Sequence, residues 1–178
     1  MSRTSREKAG NSHVYVDAEE IRSKVLPGIT KIVEEMGYEL VELKVRKGKV
    51  LSLEIEIYSR ERNISLRDCE RVSSVVSRVL DMEDPIPVRY NLVVSSPGVD
   101  RVFRSEREYR IFTGREVEVK VNNFQNYNLS REVNTGKLIG IDNDVVKFEI
   151  NGREVWVDFS DIVYTKLYFD VGKYFGGE

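Results

Sequence analysis

Apolar residues recur along the chain with two different periods, and the switch between them divides it. From Asp17 onward Ile21, Val25, Ile29, Ile32 and Met36 return every three or four residues, the spacing of one face of an amphipathic helix. Asp17 can cap the first free amides, Glu20 is placed to reach back in a capping box, and Gly37 suits a left-handed end. Pro27 and Gly28 fall inside this helix, so a kink or break is expected there. The next stretch, YELVELKVRKGKVLSLEIEIYSR, alternates instead: Val41, Leu43 and Val45 answer Leu51, Leu53, Ile55 and Ile57 across Lys47-Gly48-Lys49, which predicts a hairpin. Ser65 then caps a second helix whose Leu66, Cys69, Val72, Val75, Val76 and Val79 share one face. Pro85 and Pro87 stop that helix before a third strand over residues 89–94. The order αββαβ, with a right-handed crossover, places both helices on one face of a small sheet. A two-layer α/β domain over residues 16–98 is therefore expected, preceded by a flexible polar arm over residues 1–15.

Past this point the period is two throughout. Val117, Val119 and Val121 alternate, TGKLIGID and VVKFEI flank Asp142-Asn143-Asp144, and Asn151-Gly152 joins VVKFEI to REVWVDF with a strong hairpin signal. A tight turn at residues 160–162 precedes a last strand over residues 164–169. Five short strands with tight turns predict a small β-barrel over residues 99–178, because closure removes exposed edges, and the fold class is α+β. The longest connection, residues 122–134, is rich in Asn and expected to be mobile.

Composition narrows the chemistry. With 40% hydrophobic and 33% charged residues among 178, the chain is globular rather than disordered or membrane-spanning. A net charge of −2 gives no overall basic field, so any contact with RNA is local or shared with a protein. The one cysteine, Cys69, excludes an internal disulfide, and with His13 as the single histidine no metal cluster of familiar spacing exists. No catalytic residue, metal or cofactor is expected. Cys69 itself reads as an inert thiol packed among apolar neighbours. The N-terminal residues lack an apolar leader, which places the expected location in the cytoplasm, away from any membrane.

One segment concentrates the remaining interest: NLVVSSPGVDRVFRSEREY, where a strand-like run ends in Ser95-Ser96-Pro97-Gly98 and leads to Asp100, Arg101 and Arg104. A nucleophile elbow would need a Gly-x-Ser-x-Gly turn and a histidine base, and neither is here. A phosphate cradle needs converging amides, and Pro97 lacks one. A hinge fits better: Pro97 and Gly98 would form the centre of a tight turn, with Gly98 at positive φ, and Asp100 would pair with Arg101 or Arg104 to set one domain against the other. A functional variant adds that Arg101, Arg104, Arg107 and Arg110 offer a guanidinium row to phosphate or to an acidic protein, although Glu106 and Glu108 interleave with it. On that variant, Arg101→Ala with Arg104→Ala weakens partner binding and leaves the fold intact; unfolding would favour the hinge. On strand alternation Trp156 points away from the barrel core, either as a partner anchor or packed on the other domain. Tyr164, Tyr168, Tyr174 and Phe175 pose the same choice.

Three stretches, ISLRDCERVSSVVSRVLDMEDPIP, YNLVVSSPGVDRVFRSEREYRIFTGREVEVKV and TGKLIGIDNDVVKFEINGREVWVDFSDI, resemble the ribosome maturation factor RimP family in five separated motifs taken in order. The resemblance implies a C-terminal barrel similar to SH3 and Sm folds, and a monomeric, non-catalytic factor in late assembly of the small ribosomal subunit. Its implied partners are that subunit, including a ribosomal protein near the decoding centre and its rRNA, met largely through the barrel. Ser95, Ser96, Pro97, Gly98, Asp100 and Arg101 match the family signature. Val102 and Phe103 stand where the family commonly has proline and then leucine or isoleucine, and Val93 stands where an acidic residue is frequent. A general RNA-binding module using the barrel is the competing expectation, and it predicts a steep salt dependence on naked RNA.

Overall fold

The computed structural model describes residues 17–169, so the arm at residues 1–15, His13, Tyr174 and Phe175 lie outside the described residues. Helix α1 (Ala18–Glu35) starts at Asp17, whose carboxylate accepts from the Glu19 amide at 2.9 Å. Glu20 makes no reciprocal cap there. The helix runs unbroken through Pro27, and its core stripe is Ile21, Val25, Ile29 and Val33, with Ile32 and Met36 flanking it. Its end is a Schellman motif: the Gly37 amide donates to the Glu34 carbonyl and the Tyr38 amide to the Val33 carbonyl. Gly37 has φ +83°, a conformation most residues resist.

Strands β1 (Glu39–Arg46) and β2 (Leu51–Tyr58) pair antiparallel, with an irregularity between Leu40 and Glu42. Helix α2 (Leu66–Glu83) then crosses to β3 (Tyr90–Ser95), which pairs parallel with β2 in the order β1-β2-β3. Leu43, Leu53, Ile55 and Ile57 meet both helices in one apolar cluster with Val72, Val76 and Leu80. Leu66 is not part of it: it is 75% exposed in the first turn, before the helix settles on the sheet. Cys69 is half-buried, and burial pushes its thiol up, helped by the neighbouring Asp68 carboxylate.

The capping box forms on α2 rather than α1. Ser65 accepts from the Asp68 amide, and the buried Asp68 carboxylate accepts from the Ser65 amide and hydroxyl, from Tyr38 Oη at 2.7 Å and from both terminal nitrogens of Arg62. Arg62 first, then Ser65 and Tyr38, hold that carboxyl well below the usual range. A carboxylate whose pKa is depressed by folding stabilises the fold above its unfolded pKa of about 4, and that contribution is lost as pH falls through the folded value. Asp68→Asn is therefore expected to lower the denaturation midpoint at pH 7 and to differ less from the parent in acid, as urea unfolding at stepped pH will show.

After the linker comes a short helix that periodicity did not reveal, α3 (Glu106–Ile111), and then five strands: β4 (Glu116–Val121), β5 (Val133–Asp142), β6 (Val145–Ile150), β7 (Arg153–Asp158) and β8 (Ile162–Leu167). They form one antiparallel sheet in the order β7-β6-β5-β4-β8 around Phe148, Leu138, Val117, Val119 and Val157. The last strand starts two residues earlier than alternation suggested, because the 3₁₀ turn Phe159–Asp161 leads straight into it. No ladder joins β7 to β8, so these are the two edges. The connection expected to be mobile is anchored: it contains the 3₁₀ turn Phe124–Tyr127, Leu129 is buried, and the Asn122 amide donates to the Asp161 carbonyl. Among the described residues no helix is long and apolar enough to cross a membrane.

Candidate functional site

The linker between the sheets does three separate things. Its turn comes two residues later than Pro97 and Gly98 suggested: the Arg101 amide donates to the Gly98 carbonyl at 3.2 Å, so Val99 and Asp100 occupy the centre and Gly98 needs no positive φ. Next, residues 101–103 lie along the β8 edge. The Leu167 amide donates to the Arg101 carbonyl at 2.9 Å and the Phe103 amide to the Thr165 carbonyl at 2.8 Å, with Val102 opposite Lys166. One open edge of the second sheet is thereby covered. Third, the linker sends Phe103 into the second core, where it meets Tyr109 and Phe112 with ring centroids 5.0 Å away.

Arg101 is the centre of the site. Its side chain is only 6% exposed and points back at the first sheet, not outward. Nη2 donates to Glu42 at 2.7 Å, Nη1 to Glu56, and Nε to Glu108 of α3 at 2.9 Å, where the Glu108 side chain is 4% exposed. The need for this cation is written in the strand register. Glu42 and Glu56 are direct partners across β1 and β2, an arrangement of like charges that destabilises a sheet unless something neutralises it. Lys44 helps, at 3.0 Å from Glu42 and 3.3 Å from Glu56. Burial alone would raise the Glu42 carboxyl, but Arg101 and Lys44 outweigh it and hold that carboxyl below its ordinary value. Burial likewise works against the Arg101 charge, and Glu108 and Glu42 more than restore it. An arginine suits this place because its planar fork can serve three carboxylates at once.

Asp100, expected as the partner of Arg101, stays exposed at the turn. Arg104 is exposed and pairs with Glu42 at 3.1 Å, while Arg107 reaches Glu34 of α1 at 3.9 Å. The guanidinium row thus splits, with its first member internal and the next two facing carboxylates of the first unit. Ser95 ends β3, and Ser96, Pro97 and Gly98 line a cleft between the two units. Trp156 stands on the outer face of β7, 56% exposed, with Lys147 Nζ 4.6 Å from its ring. It belongs to a different part of the surface. No group of three or more potential metal ligands gathers among the described residues.

An apolar joint reinforces the ionic one. Val41 and Tyr58 come from the first sheet yet sit in the second core, Tyr58 edge-on to Phe112 at 5.0 Å. Periodicity missed Tyr58, which lies on the polar face of β2, and it put Val41 on the same side as Leu43, whereas the irregularity between Leu40 and Glu42 shifts the alternation and turns Val41 to the second core. Residues 28–100 match the family model described as the RimP N-terminal domain. The chain carries a RimP N-terminal domain. Over that segment it is similar to the ribosome maturation factors of the RimP family. The matched segment holds Glu42 and Glu56 and ends one residue before Arg101. In this chain, then, the acidic half of the clamp lies inside the matched segment, and the cation and Glu108 lie just beyond it.

Proposed function

We propose that this chain is a ribosome maturation factor of the RimP family that works by binding alone, engaging the unfinished small subunit and a ribosomal protein near the decoding centre. In this proposal residues 16–98 and 99–178 are its two domains, the second a small barrel similar to SH3 and Sm folds, and the protein is a cytoplasmic monomer without a cofactor. The observation that carries it is the buried Arg101 clamp. Two units held at one angle present one composite surface, and a surface that fits a single state of a particle stabilises that state by mass action.

The strand order supports the barrel, since the last strand returns beside the first and the two edges are joined by one 3₁₀ turn. Charge supports a protein-led contact. Asp144, Asp158 and Asp161 gather at one end of the second sheet, where the Phe159 amide donates to the Asp144 carbonyl and Tyr127 Oη lies 2.6 Å from Asp161 and 3.3 Å from Asp158. Burial and Asp161 push the Tyr127 phenol up to about 12. Ribosomal proteins are rich in lysine and arginine because they offset phosphate charge, so this acidic end suits one of them and repels naked RNA. Trp156 on the same sheet supplies the exposed aromatic that anchors such contacts.

Sedimentation with purified small subunits tests this. The chain is expected to comigrate with free subunits, with a log-log salt slope shallower than about −2, equivalent to two or fewer phosphate contacts. Trp156→Ala is expected to weaken association by about 2 kcal/mol while leaving the unfolding midpoint unchanged. Absence from the subunit fraction at low salt overturns the proposal, and a slope of about −4 or steeper transfers it to RNA.

A further inference from the structure

We infer that the cleft between the two units is a second binding site, for an extended peptide carrying a carboxylate beside a bulky apolar side chain. The cleft holds about 300 Å³, at the small end of ligand sites, and neither unit builds it alone. One wall comes from Tyr58 and the loop at Arg62, another from the linker at Pro97 and Val99, and the third from Arg115 and Tyr168 of the second unit. Two of these side chains leave apolar surface open to a visitor, Val99 being 63% exposed and Tyr168 39%.

The charge in the cleft is specific. The Arg115 guanidinium lies 5.8 Å from the Tyr58 ring and has no carboxylate partner among the described residues. Its neighbours differ: Arg60 pairs with Glu39, Arg62 with Asp68, Arg101 and Arg104 with Glu42. An arginine with no carboxylate partner among the described residues, set beside apolar surface, matches one carboxylate and one apolar anchor. A nucleic acid strand would require a track of several free cations, and Pro97 has no amide hydrogen to give a phosphate. The clamp at Arg101 gains a purpose here, because holding the units at one angle keeps the cleft walls together. Neither Trp156 nor the acidic end of the second sheet lines this cleft, so the inference stands apart from the subunit contact proposed above.

The test is fluorescence anisotropy on the full chain with labelled hexapeptides that set Phe, Tyr, Trp or Leu beside Asp or Glu. The same peptides with Lys replacing the acid, and octameric oligouridylate, serve as rival probes. Saturable binding by acidic peptides is expected, weakened about tenfold by the Lys replacement, by Arg115→Ala and by Val99→Asp, which places a carboxylate in the cleft. Both residues are exposed, and a shared thermal midpoint will show that each variant is folded. Sedimentation with small subunits is expected to be unchanged in both. No saturable acidic peptide, equal binding of the Lys set, or tighter binding of oligouridylate through Arg115 would each overturn the site without touching the subunit contact.

Discussion

Arg101→Met is expected to cost about 3–5 kcal/mol of folding stability at pH 7, the range seen when one partner of a buried ion pair is removed. Methionine fills much of the space, so the loss isolates charge: Glu42 and Glu56 would face each other across the strands, and Glu108 would stay buried without a cation. Arg104→Ala is the control, because that side chain is exposed and its pair with the same Glu42 contributes about 0.5 kcal/mol or less. Guanidinium unfolding of both variants decides the matter, and equal midpoints would remove Arg101 from the centre of the joint. The pH dependence has a definite sign. Folding lowers the Glu42 carboxyl, so its stabilisation is complete above the unfolded pKa of about 4.3 and disappears as pH falls through the folded value. Arg101→Met lacks that contribution, so the gap between parent and variant should narrow as the parent loses it in acid. Adding Glu42→Gln and Glu108→Gln to Arg101→Met should recover much of the lost stability, since Glu56 then faces Lys44 and no like charge. The double change Arg101→Ala with Arg104→Ala can no longer be read as a loss of surface contacts, because its first member removes an internal cation.

Much of this was legible from periodicity, and the exceptions share a cause. Alternation in LEIEIY correctly separates Leu53, Ile55 and Ile57, which meet the helices, from Glu54 and Glu56, which do not. The same pattern says that Glu42 and Glu56 face water. They do not, because a second unit covers that face, and one chain's local period carries no signal of a distant cover. Tyr58 was hidden by the same rule, and Val41 was assigned to the first core because local alternation does not foresee the irregularity between Leu40 and Glu42. Arg101 was recognised as part of a hinge, but with the wrong partner: Asp100 is its neighbour in sequence, whereas Glu42, Glu56 and Glu108 lie 59, 45 and 7 residues away. Short helices such as Glu106–Ile111 also escape detection, since six residues complete fewer than two turns and establish no stripe. The turn centre lies two residues past Pro97-Gly98 because that pair favours a central position only locally, while the pull of Arg101 toward the first sheet and of residues 101–103 toward β8 sets the register from outside.

Phe112→Ala is expected to be nearly as damaging and to act through the apolar half of the joint. The ring is fully buried, edge-on to Tyr58 of the first unit and stacked at 25° on Phe103 of the linker. Removing a buried phenyl ring costs about 3–5 kcal/mol, through lost transfer energy and the cavity left behind. The informative quantity is the coupling to Tyr58, because only that pair spans the two units. A double-mutant cycle with Tyr58→Leu and Phe112→Leu keeps apolar volume and isolates the ring contact, for which about 0.5–1.5 kcal/mol is expected. A cycle of Phe103→Leu with Phe112→Leu reports a contact that does not depend on the first sheet. Coupling near zero for Tyr58 with intact coupling for Phe103 would mean that the units part in solution and the Arg101 clamp does not hold them. Comparable coupling in both cycles means that the ring cluster and the ion cluster close the same joint. Arg101→Met should then lower the Tyr58 coupling without changing that of Phe103.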